Sequence, residues 1–228
     1  MKIRGEPQTD NIVSRMRERG PEVMGVAAGY TWQDDPRRLI FMLSRYKFVA
    51  KMLAGCAHVL EVGCGDGFGT RVVAQTVGRV TAADFDVRYI ESARAVANDL
   101  YPIAFVEHDF MDGPLAGDVD GIFALDVLEH IPEADEERFL GHCIAGLADR
   151  GTCIVGMPSI ESQPHASAGA RMGHVNCKTQ PDLKAFMETF FHNVYMFSMN
   201  DEVLHTGFAK MAHYNIALCC GKRGRKPL

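Results

Sequence analysis

Apolar residues follow two different rhythms along this chain. Leu39, Ile40, Leu43, Tyr46, Val49, Ala50 and Leu53 recur at helical spacing. They follow Asp34-Asp35-Pro36, where a carboxylate and an early proline suit a helix start. From residue 58 the rhythm changes to short, nearly continuous apolar runs. HVLEVG (58–63), VTAAD (80–84), IAFVEHD (103–109), VDGIFALDV (119–127) and GTCIVGMPS (151–159) each predict a strand. Helical patterns lie between them at 68–76, 87–100 and 133–148, the second with an apolar face of Ile90, Ala93, Ala97 and Leu100. A loop runs to about residue 179, then a helix is predicted over 181–189 and strands over 192–200 and 213–221. Buried strands alternating with helices predict an α/β fold, a doubly wound and mostly parallel seven-stranded sheet. No helix separates the last two strands, so the final strand is expected to return antiparallel. Residues 1–33 are polar and rich in Gly and Pro, which predicts a flexible, extended arm. A single domain over 34–221 and a basic tail over 222–228 complete the division.

Composition narrows the classes. The 228 residues suffice for one domain with a substantial core. Net charge is −5 with both signs dispersed, which speaks against a nucleic-acid partner, since such a binder needs a basic stripe. The one basic run, Lys222 to Lys226, reads as a solvated terminus. The seven cysteines are odd in number and form no C-x-x-C pair, so a reduced, cytoplasmic protein is expected, without a disulfide frame. The N-terminus has no apolar signal core, and no apolar run reaches the ~18 residues a membrane span needs.

The chemistry concentrates in LEVGCGDGFGTRVVAQ, residues 60–75. A glycine-rich turn after the first strand lets backbone approach a ligand at the carboxyl end of a sheet. The dinucleotide pattern G-x-G-x-x-G fails in both frames, because Phe68 or Thr70 stands at its last position. No G-K-[ST] follows, which removes a P-loop. The pattern present is E-x-G-x-G-x-G, with Glu61 before the turn and Asp66 inside it. Carboxylates repel a pyrophosphate but suit a ligand with an amino group and a sulfonium. The run resembles motif I of class I S-adenosylmethionine-dependent methyltransferases. Asp84 ends the second strand, where the family places its ribose acid, with Asp86 a weaker alternative. Asp109-Phe110 follows the third strand, where the family contacts adenine. LDVLEHI, residues 125–131, resembles the post-strand motif IV. The resemblance covers roughly residues 57–160. It implies S-adenosylmethionine as cofactor, held by Glu61, Gly63, Cys64, Gly65, Asp66, Gly67, Asp84, Phe85, Asp109, Phe110, Asp126 and Tyr46. It also implies that the helix after residue 34 acts as a lid, with Tyr30, Trp32, Arg45 and Tyr46 closing the site.

Methyl transfer needs in-line positioning, and a hydroxyl acceptor also needs a base, most often His. His130, His165 and His174 are the catalytic candidates, with His205 in the last loop a further one. Asp126-x-x-Glu129-His130 also gathers two carboxylates and an imidazole on one short turn. With His174 or His165 it would make a site for Mg²⁺ or Mn²⁺. This is similar to the E-x-x-E-H cluster of metal-dependent ubiquinone-biosynthesis O-methyltransferases and small-RNA 2′-O-methyltransferases. The first acid is Asp here, with a shorter reach, which makes the metal the lesser reading beside a metal-free site.

The favoured acceptor is a small molecule, methylated on a hydroxyl or amine, of the sugar, nucleotide-sugar or related metabolite kind. Arg37, Arg38, Arg45 and Lys47 are either a solvated helix face or a reader of an anionic acceptor. An RNA or protein methyltransferase is one alternative. A non-catalytic S-adenosylmethionine-binding protein is another. Met196, Phe197 and Met199, with Phe190 and Phe191, are either core or a homodimer face, so a monomer and a homodimer both remain open.

Overall fold

The computed structural model describes residues 6–224. Five parallel strands form the centre: β1 (Val59–Val62), β2 (Val80–Asp84), β3 (Ile103–Glu107), β4 (Val119–Leu125) and β5 (Leu147–Pro158). Then come β6 (Phe191–Asn200), β7 (Val203–His205) and β8 (Tyr214–Lys222). The order is β3-β2-β1-β4-β5-β8-β6-β7. The last strand, β8, enters between β5 and β6 and runs antiparallel to both, as expected. The sheet has eight strands instead of seven, because Val203–His205 folds back on Ser198–Asn200 as a short edge hairpin. Asp201, at φ 48°, makes the turn. Three residues are too short a run to give a strand pattern.

The helices are α1 (Pro7–Arg19), α2 (Val26–Asp34), α3 (Arg37–Met52), α4 (Thr70–Ala74), α5 (Val87–Ala95), α6 (Glu136–Cys143), α7 (Ala168–Gly173) and α8 (Gln180–Glu188). Strand residues alternate between two cores. Leu60, Val62, Ile122, Ala124, Val155 and Met157 pack with Phe139, Leu140, Leu183 and Met187 of α6 and α8. Val59, Phe123, Leu125 and Ile154 pack on the other face with Tyr46, Val49 and Ala50 of α3 and Val73 of α4. Ile90 of α5 closes a third cluster over β2 with Cys64 and Ala82.

The expected extended arm over 1–33 is helical in its described part. α1 starts with Pro7, carries Asp10 in its first turn and Arg17 and Arg19 in its last, which suits the helix dipole, and it buries no residue. Its few apolar residues, Ile12, Val13 and Met16, are exposed and too sparse to read as a core-facing stripe. The predicted 133–148 helix ends at Cys143, because Leu147 already pairs beside Val119 in the sheet. Of the basic tail, Lys222 belongs to β8, and residues 225–228 lie outside the described part. No helix among the described residues is long and apolar enough to cross a membrane.

Candidate active site

The parallel strands bring the ends of β1, β2, β3, β4 and β5 to one edge, where the sheet's ligand crevice lies. Gly63 leaves β1 at φ 74°, and its N–H and that of Cys64 both donate to Ala83 O, at 2.8 and 3.0 Å. A Cβ on Gly63 would stand 2.3 Å from Val127, so this glycine sets how closely the β1 turn meets the end of β4. Gly67, at φ 70°, leaves room for the Phe105 ring. Gly65, at φ 53°, faces open space, and that is the backbone a ligand can approach. Its N–H donates to Asp84 Oδ2 at 2.9 Å, while Asp84 Oδ1 accepts from Asp86 N. Each Asp84 oxygen keeps lone-pair capacity for vicinal hydroxyls. Asp86 instead caps α5 and pairs with Arg88, which holds its carboxyl down to about 2. Phe85 is 72% exposed beside the crevice, free to cover a planar ring. Asp109 Oδ1 accepts from Met111 N at 2.7 Å, shaping the β3 turn.

Several assigned residues do structural work in the fold. Glu61 is fully buried, and its two oxygens accept from Tyr46 Oη (2.7 Å) and Thr70 Oγ1 (2.5 Å), pinning α3 and α4 to β1. Burial raises its carboxyl to about 7, against the lowering effect of those two bonds. Tyr46 therefore touches Glu61 with its hydroxyl, and its ring fills the space above Gly69. The Cys64 side chain lies in a core cluster, and burial holds its thiol well above the usual value. Phe110 is a core residue packed edge-on against Phe139. Asp66, assigned to the cofactor, accepts Ala28 N at 2.8 Å on Oδ2 and Phe68 N at 3.2 Å on Oδ1. It holds the first turn of α2 over the glycine-rich loop. Val26 N reaches Ser92 Oγ at 3.0 Å, and Glu22 pairs with Arg71. Nothing in the sequence between residues 20 and 30 announced this docking except Gly25, whose Cβ would lie 2.5 Å from Asp66.

On the acceptor side, Asp126 takes a left-handed backbone (φ 58°) directly after β4. Arg45 Nη1 binds both of its oxygens, at 2.9 and 2.7 Å. The guanidinium lies 3.7 Å above the ring of Tyr214, a fully buried residue at the start of β8. Asp126 is thus occupied by α3 and does not join the metal-type cluster in the predicted set of Asp126, Glu129 and His130. The cluster that forms is Glu129, His130 and His174, whose ligand atoms lie within 4.8 Å of one another. Glu129 is completely enclosed, and neither carboxylate oxygen has a partner among the described residues. Burial, and then Asp126, push its carboxyl well above the usual range.

Both histidines are held through Nδ1. That of His130 donates to Gly173 O at 2.8 Å, and that of His174 to Gln163 Oε1 at 2.9 Å. Gln163 donates its own amide to Ser159 O and Ser162 Oγ, which leaves Oε1 as the acceptor. Each Nε2 is therefore left with a free lone pair when the ring is neutral. Burial and the neighbouring His130 lower the His174 pKa, which favours that neutral form. The rings are 5.3 Å apart. The loop bearing His174 is stitched down by Val175 N and Asn176 N, both donating to Glu129 O, and by the buried Lys178–Glu136 ion pair at 3.0 Å. His165 is exposed and stands outside this cluster. His205 accepts Gly207 N on Nδ1 and donates from Nε2 to Asn200, so both nitrogens build the edge hairpin. Gln163, Lys178 and Tyr214 gave no signal in the sequence, since their partners lie on other elements.

Residues 59–151 match the family model described as a methyltransferase domain. This part of the chain is a methyltransferase domain, similar to those of S-adenosylmethionine-dependent methyltransferases. A probable S-adenosylmethionine-dependent methyltransferase of Mycolicibacterium smegmatis is 28% identical over 155 residues, 65% of this chain and 58% of that protein. A ubiquinone biosynthesis O-methyltransferase of Xanthomonas campestris is 27% identical over 177 residues, 73% of this chain and 71% of that protein. The chain spans 58% and 43% of the lengths of the first curated relatives it matches. The fold is similar to the crystal structure of the N-methyltransferase NodS from Bradyrhizobium japonicum WM9 in complex with S-adenosylhomocysteine, with a TM-score of 0.63 and 18% identity, covering 92% of this chain and 97% of that one. An O- and an N-methyltransferase are thus both similar to this chain.

Proposed function

We propose that this chain transfers the methyl group of S-adenosylmethionine to a hydroxyl of a small molecule. The cofactor lies along the β1 and β2 ends, with its ribose on Asp84 and its amino acid part along the Gly63–Gly65 backbone. Its methyl group points to the end of β4, which Gly63 brings against Val127. The observation that carries the hydroxyl reading is the pair of histidines with Nδ1 engaged and Nε2 free. A neutral imidazole placed so takes the acceptor proton as the oxygen attacks the methyl carbon and sulfur leaves as S-adenosylhomocysteine. His174 is the favoured base and His130 its neighbour. A general base of this kind contributes ~10²–10⁴ in rate. The finer acceptor reading is a sugar, nucleotide-sugar or related metabolite, and the acidic net charge accords with a small-molecule acceptor more than with RNA.

The test is S-adenosylhomocysteine release from S-adenosylmethionine across a panel of nucleotide sugars, free sugars, phenols and amines. Turnover with a hydroxyl acceptor that falls by ~10² or more in His174→Ala supports the reading. Turnover with amines alone, indifferent to His174, moves the chemistry to nitrogen. S-adenosylhomocysteine binding with no turnover across the panel favours a non-catalytic binder.

A further inference from the structure

A cavity of about 340 Å³ stands on the sheet edge that carries the crevice. Its walls are Glu161 from the 3₁₀ turn Ile160–His165, Thr179 and Pro181 at the start of α8, and Phe208, Ala209 and Lys210 around the 3₁₀ turn Ala209–Met211. The first turn follows the end of β5 and the second precedes the antiparallel β8, which puts both at the ligand edge. Ser159 fastens these walls together. Its Oγ donates to Ala212 O at 2.6 Å and its N–H to His213 O at 3.0 Å, while Ile160 N donates to Lys178 O at 3.1 Å. The cavity is therefore preformed, and its size falls at the lower end of the ~300–1,000 Å³ of small-molecule sites.

The lining asks for a particular occupant. Phe208 is a large aromatic side chain left 68% exposed. Glu161 Oε2 is shut off from solvent and accepts no hydrogen bond among the described residues. The Thr179 hydroxyl beside it is already spent, donating to Asp182 Oδ2 at 2.6 Å. A carboxylate oxygen out of water without a donor is costly, and a ligand can bring the donor. A ring with apolar faces and hydroxyls at its edge answers both features, a face against Phe208 and a hydroxyl to Glu161. Lys210 is exposed in the same wall and suits an anionic group leading out. The same turn also serves the base. Gln163, two residues after Glu161, holds His174 at 2.9 Å. At about three residues per 3₁₀ turn, the two side chains leave on different sides.

We propose that this cavity receives a hydroxylated ring of the acceptor, a sugar or a phenol, with Glu161 and Phe208 as its specificity-determining residues and Lys210 as the reader of an attached phosphate. The inference deepens the hydroxyl-acceptor reading and rests on it. The turn Ile160–His165 then couples recognition to chemistry, since one of its side chains reads the ring and another orients the base.

The experiment uses the full chain, with and without S-adenosylhomocysteine. Calorimetry and saturation-transfer NMR measure the binding of free hexoses, their uridine diphosphate forms and phenols. Methyl release from S-adenosylmethionine is followed with the same compounds. The expected result is one ring per chain. Glu161→Gln and Phe208→Ala should each weaken it by about tenfold, and raise KM alike with kcat little changed, at an unchanged melting temperature. Lys210→Met should weaken the diphosphate forms and leave the free hexoses as they were. Binding by sugars without phenols gives the cavity to a sugar ring, and the reverse gives it to an aromatic one. The proposal is overturned if no ring binds a chain that binds S-adenosylhomocysteine, or if both variants bind rings as the parent does. A hydroxyl acceptor that turns over with the parental KM in both variants also overturns it, and leaves the methyl-transfer reading standing. Rings that bind and respond to Glu161 without any methyl release would instead strike at the methyl-transfer reading and leave the cavity assignment in place.

Discussion

Glu61 and the glycines around it separate two jobs that sit side by side in the sequence. The Glu61 carboxyl titrates near 7 in the fold, against an ordinary value of 4.5, chiefly because it is buried. The folded state therefore keeps a proton that the unfolded chain releases above pH 4.5. Stability contributed by this group falls as pH rises from 4.5 to about 7, by on the order of 3 kcal/mol, and levels off above that. Glu61→Gln should flatten that slope in urea denaturation between pH 5 and 8, and an unchanged slope would place the Glu61 carboxyl in the ordinary range. Gly63 and Gly65 should part in a similar way. Both have positive φ, which costs a side-chain-bearing residue ~1–2 kcal/mol. Only Gly63→Ala also drives a methyl into Val127, so it should lower the melting temperature sharply. Gly65→Ala meets no protein atom within 4 Å and should stay folded while losing S-adenosylhomocysteine affinity. The glycine run was legible because its requirement is local, a tight turn after a strand. The roles of Glu61, Asp66 and Asp126 were not. Their partners Tyr46, Ala28 and Arg45 lie 15, 38 and 81 residues away.

The helices before β1 decide how the crevice is covered, and they were the least legible elements. α2 contributes a single buried residue, Ala28, so no apolar stripe marked it. Its position comes from polar contacts: Ala28 N on Asp66, Val26 N on Ser92 Oγ, and Gly25 pressed against the Asp66 side chain. By contrast, α3 was read correctly from its period, because it buries Leu39, Tyr46, Val49 and Ala50 against the sheet. The strands were legible for the same reason, since β1, β2 and β4 are buried on both faces. The short β7 lacked that signal. The difference in burial gives a prediction. Gly25→Val should push α2 off Asp66 without unfolding the chain, because the core below is supplied by α3 and α4. Its melting temperature should stay within a few degrees of the parent. Proteolysis near residue 25 should speed up, and S-adenosylhomocysteine should dissociate about tenfold faster if α2 helps retain it, ~1.4 kcal/mol of lost contact. Unchanged dissociation would make α2 a bystander.

Across the whole molecule, the crevice is assembled from two halves of the sheet. The ends of β1, β2 and β3 carry Gly65, Asp84 and Asp109, while the end of β4 and the loop after β5 carry His130 and His174. The second half is held by its own devices: the Ser159–Lys178 bridge, the Lys178–Glu136 pair and the Glu129 carbonyl that accepts two N–H groups. No bond of those devices reaches β2 or β3. The two halves meet along the β1–β4 pairing, at Gly63 on Val127, and through α3, which sends Tyr46 to Glu61 and Arg45 to Asp126. Substitutions in one half should therefore leave the other's task intact. Asp84→Ala should weaken S-adenosylhomocysteine binding by at least tenfold, since a carboxylate that can bind hydroxyls is lost, worth ~1.5–3 kcal/mol for charged hydrogen bonds. His174→Ala should leave that affinity within twofold and lower turnover of a hydroxyl acceptor by ~10² or more. In the double variant the two losses should add in kcat/KM, as they do for sites without shared partners. A large departure from additivity would mean that cofactor binding moves the His174 loop. The path for that coupling would then be α3, the one helix among the described residues whose side chains reach acids at the ends of both β1 and β4.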